Sequence, residues 1–146
     1  MSKGFTLLEL LIVCACIGLL LGVGGVLFTG AINRSRLAEA SAQLVGDLQR
    51  ARSAAQRYNQ NAELEVRATT ASAYTLTING RSTERRLPAG TQLRTPSPTA
   101  IRYHAPFGET SGTNVTLTVE LQRGRAQPRY VRVIGVTGKV YTGVGP

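Results

Sequence analysis

Two groups of residues in this chain could do chemistry. The first is Glu9, a lone carboxylate at the mouth of a long apolar run. From Leu10 to Phe28, nineteen consecutive residues carry no charge, enough for a helix to span a bilayer. An acid at that entrance is costly in hydrocarbon unless it is neutralised or paired, so Glu9 demands a cation. The second group is Arg123, Arg125, Arg129, Arg132 and Lys139, in a C-terminal stretch, residues 121–146, that has no Asp or Glu. Five cations with Tyr130 and Tyr141 among them suit a phosphate backbone, with rings available for base stacking. DNA is therefore the candidate polyanion.

Other chemistries find no support. The single histidine, His104, follows Tyr103 in an alternating stretch and reads as structural. Its serines and threonines have no plausible base partner, and no metal-ligand cluster or phosphate-binding glycine loop occurs. The expectation is no catalytic residue, no metal, no cofactor and no enzyme. Cys14 and Cys16, two residues apart on a helix, point to different sides and cannot bridge each other. They read as small apolar packing residues, with lipidation or an intermolecular bridge as alternatives. No cysteine follows residue 30, so packing alone must hold the rest.

These residues need elements to position them. The chain has 146 residues and a net charge of +9, from 17 Lys+Arg against 8 Asp+Glu. Without the first thirty residues, roughly 115 remain, sufficient for one modest core. The basic balance favours polyanions or anionic headgroups. Lys3 is the only basic residue before the apolar run, and no persuasive small-residue cleavage site follows it, unlike a conventional secretory signal. A lipoprotein-type box at Val13-Cys14-Ala15-Cys16 and a plain single-pass anchor are the other readings of this segment.

Beyond the run, Leu37, Ala40, Leu44, Leu48, Ala51, Ala55 and Tyr58 recur at spacings of three and four, one stripe of an amphipathic helix. Arg34, Arg36, Glu39, Asp47, Arg50, Arg52 and Arg57 fall mainly off it. Asn59-Gln60-Asn61 supplies a polar stop. A helix from Phe5 to about Tyr58 would be ~80 Å long. Gly18, Gly22, Gly24, Gly25 and Gly30 each weaken its first half by up to ~1 kcal/mol relative to alanine, and no proline occurs before Pro88.

Past residue 62 the period changes to two. Strands are expected at Glu63–Arg67, Tyr74–Ile78, Ser82–Leu87, near Leu93, and at Ile101–Tyr103, Val115–Leu121, Tyr130–Val136 and Lys139–Tyr141. Asn79-Gly80 marks a two-residue hairpin, while Thr95–Pro98 and Gly108–Asn114 read as loops. One long helix followed by antiparallel strands is an α+β fold.

The stretch Gly4-Phe5-Thr6-Leu7-Leu8-Glu9-Leu10-Leu11-Ile12-Val13 resembles the prepilin signature of type IV pilins and type II secretion pseudopilins. The resemblance implies cleavage by a prepilin peptidase between Gly4 and Phe5, and methylation of the Phe5 amine. It also implies that Glu9 pairs with the N-terminal amine of a neighbouring subunit. Its implied organisation is a leader over 1–4, a transmembrane and filament-core helix over 5–30, an amphipathic continuation over 31–60 and a β-rich head over 61–146. The implied partners are other pilin or pseudopilin subunits and the peptidase. The location would be the inner membrane with the head outside the cytoplasm, then a periplasmic or surface filament.

Finer likeness is to H-type pseudopilins and FimT-like minor pilins. It rests on Leu37-Ala38-Glu39-Ala40 with 43–53, on Ile101-Arg102-Tyr103 with Pro106-Phe107-Gly108, and on 134–140. It implies a pilin-like head of antiparallel sheet, or two sheets, against the second half of the helix. FimT-like pilins are associated with DNA uptake in competence through a Gly-Arg-x-Arg motif. Gly138-Lys139-Val140-Tyr141 matches its glycine and first basic position, and Gly124-Arg125-Ala126-Gln127 matches its first half.

Overall fold

The computed structural model describes residues 6–112, 114–124 and 126–144, setting aside the side chains of residues 21 and 23–27. The helix α1 (Leu7–Tyr58) comes first. The strands that follow are β1 (Ala62–Val66), β2 (Thr70–Ala71), β3 (Ala73–Ile78), β4 (Arg81–Arg86), β5 (Thr91–Arg94), β6 (Thr99–Tyr103), β7 (Val115–Leu121), β8 (Arg129–Ile134) and β9 (Lys139–Val144). Met1–Asn33 and Arg34–Pro146 form two compact units. The second holds all the strands, in antiparallel sheets of order β4-β3-β1-β6 and β2-β5-β7-β8-β9. A long helix packed against antiparallel sheets is the α+β, pilin-like layout expected.

The helix part of this unit is held by its stripe. Leu37, Ala40, Leu44, Leu48, Ala51 and Ala55 are buried with residues of both sheets in one cluster that includes Leu64, Leu93, Ile101, Leu117 and Val131. Tyr58, expected on the stripe, is 51% exposed, because the helix has outrun its cover there. Asn59 then takes a left-handed φ of 51°, a conformation asparagine tolerates at a helix end. Asn61 Oδ1 accepts the Ala105 N–H at 3.0 Å, which ties the chain after the helix to the β6–β7 loop.

Asp47 departs from expectation more sharply. Although charged, it is only 3% exposed, since it lies three residues beyond Leu44 on the buried face. Tyr74 Oη donates to its Oδ2 at 2.7 Å, and Arg85 donates through Nε at 3.0 Å and Nη2 at 3.3 Å. Gln43 Nε2 donates to Tyr74 Oη at 3.2 Å and to the Arg86 carbonyl at 2.9 Å. A buried carboxylate is tolerable only when paired and hydrogen-bonded in this way. The network joins α1 to adjacent strands, with Tyr74 opposite Arg85 in the β3–β4 register.

The hairpin turn between β3 and β4 falls at Asn79 and Gly80, with φ of 52° and 72°, as the Asn-Gly pair dictates. The β8 strand was expected to reach Val136 but stops at Ile134. Gly135 and Gly138 have φ of 32° and 60° and make the turn into β9. A Cβ on Gly138 would stand 2.7 Å from Tyr103 Cε1 and 3.2 Å from the Gly108 carbonyl. One on Gly108 would meet Arg52 Cγ at 2.9 Å. Helix, β6–β7 loop and β8–β9 turn are thus stacked through two glycines.

Gly138→Ala should therefore lose about 1–3 kcal/mol, through overpacking and an unfavourable φ; chemical denaturation of wild type and variant would measure it. A second outcome concerns alkali. Burial pushes the Tyr103 phenol up to about 12 from 10.0, against the opposing charge of Arg52. Burial, then the hydrogen bond to Asp47, carries Tyr74 well above the ordinary phenol range. Raised folded values leave these contributions complete below the unfolded value and remove them as pH rises through the folded one. Both tyrosines should leave stability unchanged below pH about 10 and erode it above, up to about 12 for Tyr103. Urea midpoints across that window should fall less steeply in Tyr103→Phe.

Candidate functional site

The N-terminal candidates divide at the edge of the described chain. Gly4 and Phe5 lie outside the described residues. Thr6 caps α1: its Oγ1 accepts the Glu9 N–H at 3.3 Å, and its carbonyl accepts the Leu10 N–H at 3.2 Å. Thr6 followed three residues later by Glu9 is the spacing of a capping box. Glu9 is exposed in the first helical turn, where the helix dipole favours an acid. Among the described residues no cation pairs with it.

The side chains around Glu9 are equally uncovered. Leu7 is 77% exposed, and Leu8, Leu10, Leu11 and Ile12 are also exposed. Cys14 and Cys16 are free and exposed. Gly18, Gly22 and Gly30 have open space where a Cβ would stand, so no contact within the described chain requires them. Among the described residues no helix is long and apolar enough to cross a membrane. Residues 21 and 23–27, part of the apolar run in the sequence, are not in that set.

The basic candidates are distributed by strand parity. Val131 and Val133 of β8 are buried, so Tyr130, Arg132 and Ile134 occupy its outward face. Register places Tyr141 opposite Arg132, and Lys139 opposite Ile134. Arg132, Tyr141 and Lys139 therefore share one outward surface of the five-stranded sheet. Arg132 Nε donates to Thr116 Oγ1 of β7 at 3.4 Å. Arg129 has the opposite parity, on the side of Val131, and Arg123 is exposed in the β7–β8 connection. Arg125 lies outside the described residues. The sheet thus unites Arg132 and Lys139 with Tyr141 and separates Arg129 from them.

The two sheets differ in charge. On the outward face of the four-stranded sheet, Arg102 pairs with Glu63 and Arg86 with Glu84, and Arg67 lies on Glu65. On the five-stranded sheet the one outward carboxylate, Glu120, faces Arg94 and Gln92, leaving the β8–β9 end without an acid. His104 is exposed just after β6 and bridges to Glu109. Among the described residues no group of three His, Cys, Asp or Glu side chains could hold a metal.

With the geometry in place, the comparison with known families is decisive for the N-terminus. The prokaryotic N-terminal methylation motif matches residues 1–25. The chain carries a type IV pilin-like prepilin signature. The match covers Gly4, Phe5, Thr6 and Glu9 together and stops within the first unit. No curated protein and no solved structure matches the chain.

Two features escaped the sequence reading. Thr6 as the cap was signalled by its spacing to Glu9. Arg85 as a partner of Asp47 had no local signal, because only the packing of α1 against the β3–β4 pair brings residues 38 apart into contact.

Proposed function

We propose that the chain is a structural subunit of a type IV pilus-like filament, a minor pilin or pseudopilin held in the inner membrane before assembly. The observation that carries this reading is the methylation motif over 1–25, on a helix whose first turn bears an exposed carboxylate with no cation beside it among the described residues. Residues 1–4 would be the leader, 5–30 the membrane and filament-core helix, 31–60 its amphipathic continuation and 61–146 the head. Cleavage after Gly4 frees the Phe5 amine for methylation, and Glu9 meets the amine of a neighbouring subunit. An acid in an apolar setting needs such a cation. The exposed leucines of the first turns need lipid or other helices. None of these steps asks this chain to be an enzyme.

The basic second unit fits a minor subunit, since copies of a cationic head repel one another where they pack side by side. An H-type pseudopilin of type II secretion would share every feature named so far and differ in the filament it joins. A second reading, capture of DNA, is favoured by Arg132 and Lys139 beside Tyr141 on an acid-free surface.

Glu9→Ala and Glu9→Leu should be cleaved like the wild type yet enter filaments roughly tenfold less or worse, since breaking a buried charge pair costs about 3–5 kcal/mol. Immunoblots of sheared filaments against membrane fractions would show it, and normal incorporation would end the pairing idea. For the DNA reading, the full chain in detergent micelles should retard duplex DNA with a steep salt dependence. Arg132→Ala with Lys139→Ala should reduce the slope of log affinity against log salt by about 2. Arg129→Ala, on the opposite parity, should change it little; equal loss in both would exclude this surface.

A further inference from the structure

Beside β6 runs a groove of about 390 Å³ whose lining is unusual in its parity. Thr99, Ala100, Ile101 and Arg102, four consecutive residues, all contribute to it. A cavity on a sheet face touches alternate residues, because successive side chains point to opposite faces. Consecutive residues line a cavity only along a strand edge. β6 is such an edge, bonded to β1 alone within its sheet.

The opposite wall is also strand edge. Val115 and Thr116 of β7 line the groove, again consecutive. β8 pairs with β7 from Val115 to Val119, whereas β5 reaches only from Leu121 back to Thr118. On its β5 side, the beginning of β7 has no strand neighbour among the described residues. Two unpaired edges, one from each sheet, therefore face one groove.

The side chains there leave little for a small charged ligand. Arg102, the only ionisable group in the lining, already gives Nη2 to both oxygens of Glu63 at 3.1 Å. Thr99 Oγ1 donates to the Ser97 carbonyl at 2.7 Å, Thr110 Oγ1 donates to the Gly135 carbonyl, and Thr116 Oγ1 accepts from Arg132. Asn114 Oδ1 accepts the Gly135 N–H at 2.8 Å, and with the neutral Ser97 and Ser111 hydroxyls what the edges of β6 and β7 present is uncharged main chain, the recognition chemistry of an added strand.

We infer that the groove between β6 and the start of β7 is a strand-acceptor site that takes an extended peptide segment of a partner protein. Four residues of added strand span about 13 Å and would join the two sheets across the gap. Inward side chains of the guest would meet Ile101, Val115 and Val133, all apolar. Outward ones would meet Ala100, Thr116 and the Arg102–Glu63 pair. The fitting guest alternates β-branched apolar residues with small polar ones, and the net charge of +9 favours acidic flanks.

The test is to pan a displayed library of random ten-residue peptides on the full-length chain in detergent micelles. Enriched peptides should alternate in this way, and amide hydrogen exchange with a synthetic copy should slow within Thr99–Tyr103 and Val115–Leu117. A lysine on an edge blocks strand addition, so Ala100→Lys and Thr116→Lys should each weaken binding about tenfold or more. Ala100 is exposed and Thr116 half-buried, so circular dichroism should show both variants folded; if one is not, the other decides. No enrichment over empty micelles, protection elsewhere, or equal binding by a folded lysine variant would overturn the assignment.

Discussion

Everything in the second unit depends on how one helical stripe is covered. Leu37, Leu44 and Leu48 are buried in a cluster that draws on both sheets, so the helix is the common floor on which two separate ladders are laid. Neither sheet is closed, and each keeps edges that a barrel would abolish. Burial of the stripe is non-directional and would tolerate slippage by a turn. The Asp47 network removes that freedom. A helix displaced along its axis would leave a carboxylate buried without Tyr74 and Arg85, a far larger penalty than the loss of one apolar contact.

Asp47 and Glu9 pose the same electrostatic problem on one helix and meet it differently. The carboxylate of Asp47 finds a guanidinium and a phenol within its own chain, and its hydrogen bond is the leading cause raising the Arg85 guanidinium above its usual value. Glu9 has no such partner among the described residues and sits among exposed leucines. One acid is thus settled internally, and the other stands open at an apolar surface among the described residues. That contrast, together with the methylation motif at 1–25, supports reading the first unit as an assembly element.

How much of this was legible in the sequence follows from the range of the forces involved. The stripe, the Asn79-Gly80 turn and most strands are local patterns of period three to four or two, and they stood in the sequence. The motif around Gly4, Phe5 and Glu9 is a contiguous string and was equally readable, although the first two residues lie outside the described chain. Pairings were not readable. Nothing near Asp47 announces Arg85, and the division of the C-terminal cations required knowing which face of β8 is buried. β8 ends before Val136, a residue of strand character, because Gly135 and Gly138 impose a turn, and Tyr103 and Gly108 pack against Gly138. The two-residue β2 carries too little pattern to be seen at all.

The two open features of the head follow from this same construction. Because β5 ends at Arg94 and the chain crosses to the other sheet, β7 is left half paired, and β6 becomes an edge facing it. The gap is a consequence of laying two sheets on one helix with a short crossover. Ordinary folds blunt such edges with charge, proline or a covering loop. β4 carries charge at four of its six positions, Arg81, Glu84, Arg85 and Arg86, whereas β6 offers Thr99, Ala100 and Ile101 beside a single arginine. Protection is thus spent on one edge of the four-stranded sheet and withheld from the other. That asymmetry is what an acceptor edge requires: an unguarded strand is a liability in isolation and a binding site once a partner segment occupies it.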